Sequence, residues 1–222
     1  MRKRIVLLLT YTFITTITIS MYRVVYNLYL REIGFSNTLI GNVTSAQLWG
    51  SAIIGLLTAV LADTIGKKKI LFLSAVVVPV SGIALAFVVD PTFILVLSFI
   101  KGGFTVTAFT VVMATMTSVT KTGNRAKVFG LNFGINMASG VIGNFIGGAF
   151  GDLFGLQTTL IISMVAHLPA IIPVIKLEMT ESRSRLKELF NFSGLQPDQR
   201  KVLTYYFIST ATVGFGAGLF IH

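Results

Sequence analysis

Apolar residues run through this chain in blocks, without the stripes of an amphipathic surface helix. Six blocks, at residues 5–30, 38–62, 70–89, 92–119, 128–150 and 157–175, are separated by short polar gaps, and a seventh, 202–222, follows a longer polar stretch. Each block is near or above the roughly 20 residues a helix needs to cross about 30 Å of hydrocarbon. At that depth every backbone N–H and C=O must be satisfied internally, so helix is the state expected for all of them. The pattern predicts an all-α membrane protein. Its first six spans form one bundle over residues 1–176, followed by a cytoplasmic linker over 177–201 and a seventh span over 202–222.

Charge then orients the spans. Fifteen of the 18 lysines and arginines fall at the N-terminus (Arg2, Lys3, Arg4) and in every second gap: Lys67, Lys68 and Lys69; Lys121, Arg125 and Lys127; and the polar stretch from Lys176 to Lys201. The intervening gaps hold Arg31 with Glu32, Asp90 and Asp152. The positive-inside rule puts the basic gaps and the N-terminus in the cytoplasm of a cell whose plasma (inner) membrane carries the protein. A formal charge of +10 beside 54% hydrophobic residues is therefore a topology signal. It argues against a nucleic-acid partner. The first block continues past Tyr26 with no small-residue cleavage site, which marks an uncleaved span and not a signal peptide. The chain has no cysteine and two histidines, His167 and His222, and shows no hydrolase, P-loop or zinc-protease pattern. Neither an enzyme nor a cofactor is expected.

The second gap reads Ala62-Asp63-Thr64-Ile65-Gly66-Lys67-Lys68-Lys69. Gly66 can supply the positive φ of a tight turn between helices. Asp63 can accept hydrogen bonds from a neighbouring helix N-terminus, where an anion is favoured. The segment resembles the signature between spans two and three of the major facilitator superfamily, with Asp63, Gly66, Lys67 and Lys68 matching and Ala59 and Thr64 departing from it. The resemblance implies a twelve-span transporter of two six-helix halves, each built from inverted three-helix repeats. It also implies that Asp63 helps latch the cytoplasmic side, so Asp63, Gly66, Lys67, Lys68 and Arg125 are the candidate gating residues. A second family pattern lies over span five at Gly130, Ser139, Gly143, Asn144, Gly147 and Gly148. The resemblance associates this pattern with antiporters, but serine replaces one glycine there and Asn144 replaces the proline, which weighs against that subclass. Gly143, Gly147 and Gly151 recur every four residues, a small-residue ridge for close helix packing, and Gly148 is taken with them.

Internal repeats agree with that architecture. Residues 13–20 of the first span match 207–214 of the seventh, and Ala62-Asp63-Thr64-Ile65-Gly66 matches Gly151-Asp152-Leu153-Phe154-Gly155 at the ends of spans two and five. The chain therefore reads as the N-terminal half of a transporter plus the opening of a C-terminal half, truncated in span seven. In the linker, Leu186, Leu189 and Phe190 share one side of an expected interfacial helix closed by Pro197.

Charges inside spans are functional candidates because each costs about 2.5–3.5 kcal/mol to insert unpaired. Arg23 shares a helical face with Thr16, Ser20 and Asn27, and Lys101 lies about ten residues into span four. The resemblance places spans one and four on the central cavity, making Arg23, Asn27 and Lys101 the candidate substrate-binding residues. Arg23 can instead snorkel outward, and Lys101 can instead serve a structural ion pair. No carboxylate lies within spans one to six. A small-molecule substrate is expected, with a lean toward an anion and a proton as the candidate coupling ion. Asn132, Asn136 and Asn144 can hydrogen-bond substrate or a neighbouring helix and are expected in helix contacts, with His167 and Trp49 in packing. The expected function is secondary active transport by alternating access, uptake symport and efflux antiport both being open. The alternative is a non-transporting receptor or assembly subunit on the same scaffold.

Overall fold

The computed structural model describes residues 2–178 and Tyr205. The chain divides into two compact units, Met1–Arg183 and Ser184–His222, and the six spans all belong to the first. They are α1 (Arg2–Glu32), α2 (Asn37–Ile65), α3 (Lys67–Ala84), α4 (Pro91–Val119), α5 (Arg125–Phe154), and a broken sixth made of α6 (Leu156–Val165), a 3₁₀ turn (Leu168–Ala170) and α7 (Ile171–Ile175). Among the described residues, five stretches are long and apolar enough to cross a membrane. The remaining span, α3, has 18 residues and opens on three lysines. The expected linker helix at 186–190 and the seventh span lie outside the described residues, Tyr205 apart.

The sixth span departs from the uninterrupted helix expected over 157–175. Proline has no N–H to donate, and its ring crowds the carbonyl four residues back. Pro169 places that clash on Val165, where α6 ends, and a 3₁₀ turn carries the chain to α7. Other boundaries follow local chemistry. Ser36 caps α2, accepting from the Leu39 amide at 3.3 Å. Asp90 caps α4 with one oxygen accepting from the amides of Thr92 and Phe93, while Pro91 fills the first helical position. The paired pentapeptides end α2 and α5 in the same way. Gly66 (φ 113°) and Gly155 (φ 81°) donate back to the carbonyls of Ala62 and Gly151, and each glycine also opens the next helix.

Two buried clusters show the alternation of the spans. One joins Leu8 and Tyr11 at the start of α1, Ala62 at the end of α2, Leu71 early in α3, Met116 late in α4 and Val174 in α7. The other joins Tyr26 and Leu30, Val43, Leu85, Ile94 and Leu160 at the opposite ends of those elements. Neighbouring spans are therefore antiparallel, and Arg2, Lys3, Arg4, Lys67, Lys68, Lys69, Lys121, Lys127 and Lys176 gather at one basic end.

The most extensive contacts are of α2 with α4 and of α1 with α5. These two pairs exchange with one another when the first three spans are swapped for the second three, as an inverted repeat requires. Both crossings use missing side chains. A Cβ on Gly143 would overlap the Ile17 carbonyl, and one on Gly147 would sit 2.7 Å from the Met21 carbonyl oxygen. Across α2 and α4, a Cβ on Gly50 or Gly102 would overlap the backbone of Phe99 or Gln47. Gly151 is buried and approaches Leu156 of α6. Gly148 breaks the expectation of packing: it faces open space, one residue and about 100° off the ridge. Polar side chains add to the crossings. Thr12 donates to Asn132 at 2.9 Å, Asn136 donates to Thr16 at 3.1 Å, and the hydroxyls of Thr58 and Thr107 share a short hydrogen bond.

Trp49 is not packed inside the bundle as expected; it is 65% exposed. Gly50 occupies the face of α2 that approaches α4, so the preceding side chain is turned outward. Leu48, Leu56, Val141 and Phe145 extend apolar exposed surface over α2 and α5.

Candidate functional site

Arg23, Asn27 and Lys101, chosen for being polar within apolar spans, line one cavity of about 330 Å³. Its walls come from α1 (Ile19, Tyr22, Arg23, Tyr26, Asn27), α2 (Thr44, Gln47, Leu48, Ser51) and α4 (Lys101, Gly102, Thr105). The close crossing of α2 and α4 at Gly102 shapes this wall. Ser51 lies within hydrogen-bond reach of its own helix at Gln47 O (2.8 Å) and of Gly102 O across the crossing (3.1 Å). Lys101 is 6% exposed, and its ammonium sits 3.8 Å from the centre of the Tyr22 ring. Tyr22 in turn stacks on Tyr26, with centroids 5.0 Å apart. The Lys101 stem passes so close to α3 that a Cβ on Gly82 would lie 3.3 Å from its Cε.

The structure thus gives Lys101 an aromatic face where an acidic partner was the alternative. Among the described residues, the single ion pair is Asp63 with Lys67. A desolvated cation–π contact is worth about 2 kcal/mol, comparable to the cost of inserting the charge. It leaves the ammonium without a formal counter-charge.

Arg23 has a wider reach. It also lines a hydroxyl-rich cavity of about 140 Å³, with Thr12, Thr15, Thr16, Ser20 and Thr105 on its wall, and a third of about 410 Å³ between α1 and α5. Its guanidinium side chain therefore borders all three spaces. His167 closes the hydroxyl-rich cavity at the break in span six. Its Nδ1 lies 2.8 Å from Thr18 Oγ1, which itself donates to the Ile14 carbonyl oxygen at 2.9 Å. The hydroxyl that donates to Ile14 is left to accept from Nδ1–H. His167 is packed and hydrogen-bonded, as expected.

The candidate gating residues do not form one cluster. Among the described residues, Asp63 accepts from the ammonium of Lys67 at 3.2 Å, four positions on across the Gly66 turn. Lys68 donates to the Ile175 carbonyl at 2.8 Å, capping the last turn of span six. Arg125 stays within its own turn, donating through Nε to Thr120 O at 3.4 Å.

The sequence model of the Major Facilitator Superfamily matches residues 8–221. The chain belongs to this superfamily. It is an integral, multi-pass membrane protein. Among solved structures it is similar to a mutant of the peptide transporter POT crystallised with sulfate, at TM-score 0.70 and 15% identity. The match covers 94% of this chain and 44% of that one, so the chain spans less than half the length of its structural relative. No curated protein matches the chain.

Sequence reasoning found the charges and missed their setting. Tyr22 and Tyr26 carry no signal, because aromatic residues in an apolar run are unremarkable until a cation is placed beside them. Gly50, Gly82, Gly102 and Gly103 were legible only as scattered small residues. Applying the inverted repeat to the glycine ridge of span five points to the matching crossing of α2 and α4, where three of them lie.

Proposed function

We propose that this bundle forms one wall of the pathway in a secondary active transporter working by alternating access, and that the wall takes an anionic, carboxylate-bearing small molecule. The observation that carries this reading is the cavity holding Arg23 and Lys101 with no acid on its wall. A charge-assisted hydrogen bond to a carboxylate would contribute about 1.5–3 kcal/mol, enough to select an anion over its neutral analogue. Asn27, Gln47 and Ser51 supply neutral polar groups around the two cations. Membership of the superfamily supports transport as the activity, driven by an ion or substrate gradient, with a proton as the first ion to test. On this reading the apolar faces of α2 and α5 meet lipid or a second bundle, and the basic end lies in the cytoplasm.

The test measures thermal stabilisation of the purified chain by sulfate and by small carboxylates paired with their neutral amides. Stabilisation is expected from the charged members only, with apparent affinity falling about tenfold or more in Lys101→Gln. Equal stabilisation by the amides, or affinity unchanged by the substitution, would remove the anion reading. Counterflow of a labelled binder in proteoliposomes holding a complete transporter that carries this bundle then addresses transport itself. Binding without flux would favour the receptor alternative.

A further inference from the structure

A second cavity, of different lining, lies at the basic end, outside the cavity that carries the proposed transport function. Between α3 and α7 is a cavity of about 390 Å³ lined by Lys68, Lys69, Phe72 and Ile175. Its two halves differ. The lysines hold the rim, while Phe72 (43% exposed) and Ile175 (59% exposed) present apolar surface beside them. Phe72 lies three positions after Lys69, which sets the ring about 4.5 Å further along α3. A phosphate at the rim would leave an acyl chain lying against the ring.

Among the described residues, nothing neutralises the charge on the rim. Among the described residues the ion pair at this end is Asp63 with Lys67, which leaves Lys68 and Lys69 without an acid. Lys68 is fixed in place by its bond to the Ile175 carbonyl, yet that bond neutralises no charge. The first turn of α3 also lacks a side-chain cap and an acidic residue, so its free amides add to the positive potential. Basic pockets between spans are the sites where anionic headgroups are held.

We infer that the α3–α7 groove binds an anionic phospholipid, the phosphate on Lys68 and Lys69 and one acyl chain along Phe72 and Ile175. A zwitterionic lipid offers the same phosphate with an ammonium that the two lysines repel, so the groove discriminates by net headgroup charge. Each lysine at a membrane surface contributes about 1 kcal/mol toward an anionic lipid, equivalent to about a fivefold preference.

Tryptophan quenching reads this locally. The 222-residue chain contains one tryptophan, Trp49, on the exposed face of α2. Combining Trp49→Phe with Phe72→Trp moves the reporter into the groove. The protein is reconstituted in phosphatidylcholine containing a minor fraction of either brominated phosphatidylglycerol or brominated phosphatidylcholine. Brominated phosphatidylglycerol should quench the groove reporter several-fold more strongly than its partner lipid, while Trp49 in the native chain shows no preference. Lys69→Gln, which leaves the Lys68 bond to Ile175 intact, should lower the preference about fivefold. Equal quenching by the two lipids, or a preference that survives both Lys69→Gln and Lys68→Gln, would overturn the assignment. Displacement by millimolar inorganic phosphate would overturn it too, since the groove would then be a free-anion site.

Discussion

Lys101 is held by what surrounds it more than by any partner of opposite charge. Burial of an ammonium in a membrane span costs about 2.5–3.5 kcal/mol, and the Tyr22 ring 3.8 Å away offsets much of that. The ring matters and its hydroxyl does not enter the contact, so Tyr22→Phe should leave thermal stability within about 0.5 kcal/mol of the native chain. Tyr22→Leu should cost about 1–2 kcal/mol and increase the sensitivity to Lys101→Gln. Equal effects of the two Tyr22 variants in a melting experiment would show that the contact is incidental. Arg23 and Lys101 were visible in the sequence because a charge in an apolar run is conspicuous. The aromatic face was not, because it depends on α1 and α4 meeting at a depth that hydropathy does not encode. The same limit applies to Asp63, whose pairing with Lys67 depends on the geometry of the turn at Gly66.

At the scale of helices, the two crossings rest on backbone approaching backbone. Replacing Gly143 with leucine should push α5 off α1, and Gly102→Leu should push α4 off α2, because each new side chain would enter the opposite main chain. Overpacking of this kind costs about 1–3 kcal/mol, and more where backbone is struck. Gly148→Leu is the matched control: nothing lies within 4 Å of that position, so its melting temperature should stay near that of the native chain. A loss at Gly148 as large as at Gly143 would mean the ridge is misplaced. Span limits were legible to within a few residues because hydropathy, Ser36, Asp90 and the glycine turns all act locally. The break in span six was missed although Pro169 was in plain view. Proline does not break every span here, since Pro79 stays within α3. Whether neighbouring helices hold a proline-bearing span straight is a matter of packing, beyond the reach of local rules.

For the whole bundle, the inverted repeat was readable from two pentapeptides because both encode the same helix–glycine–helix turn. The turn containing Asp63 also bears on the proposed conformational cycle. Within the described unit, Asp63 and Lys67 are 40% and 28% exposed, so their pair contributes about 0–1 kcal/mol and is screened by salt. Asp63→Asn should therefore leave the bundle folded, with a melting temperature little changed. If Asp63 latches the basic face of a complete transporter, the same substitution acts on a different equilibrium. Losing an aspartate that interacts with a helix N-terminus shifts such an equilibrium by about 0.3–2 kcal/mol, a change in state populations of roughly two- to thirtyfold away from the outward-facing state. Spin labels placed across the basic end in a transporter carrying this bundle would report that change as a redistribution of distances. Unchanged distances together with unchanged stability would leave Asp63 as the partner of Lys67 and nothing more.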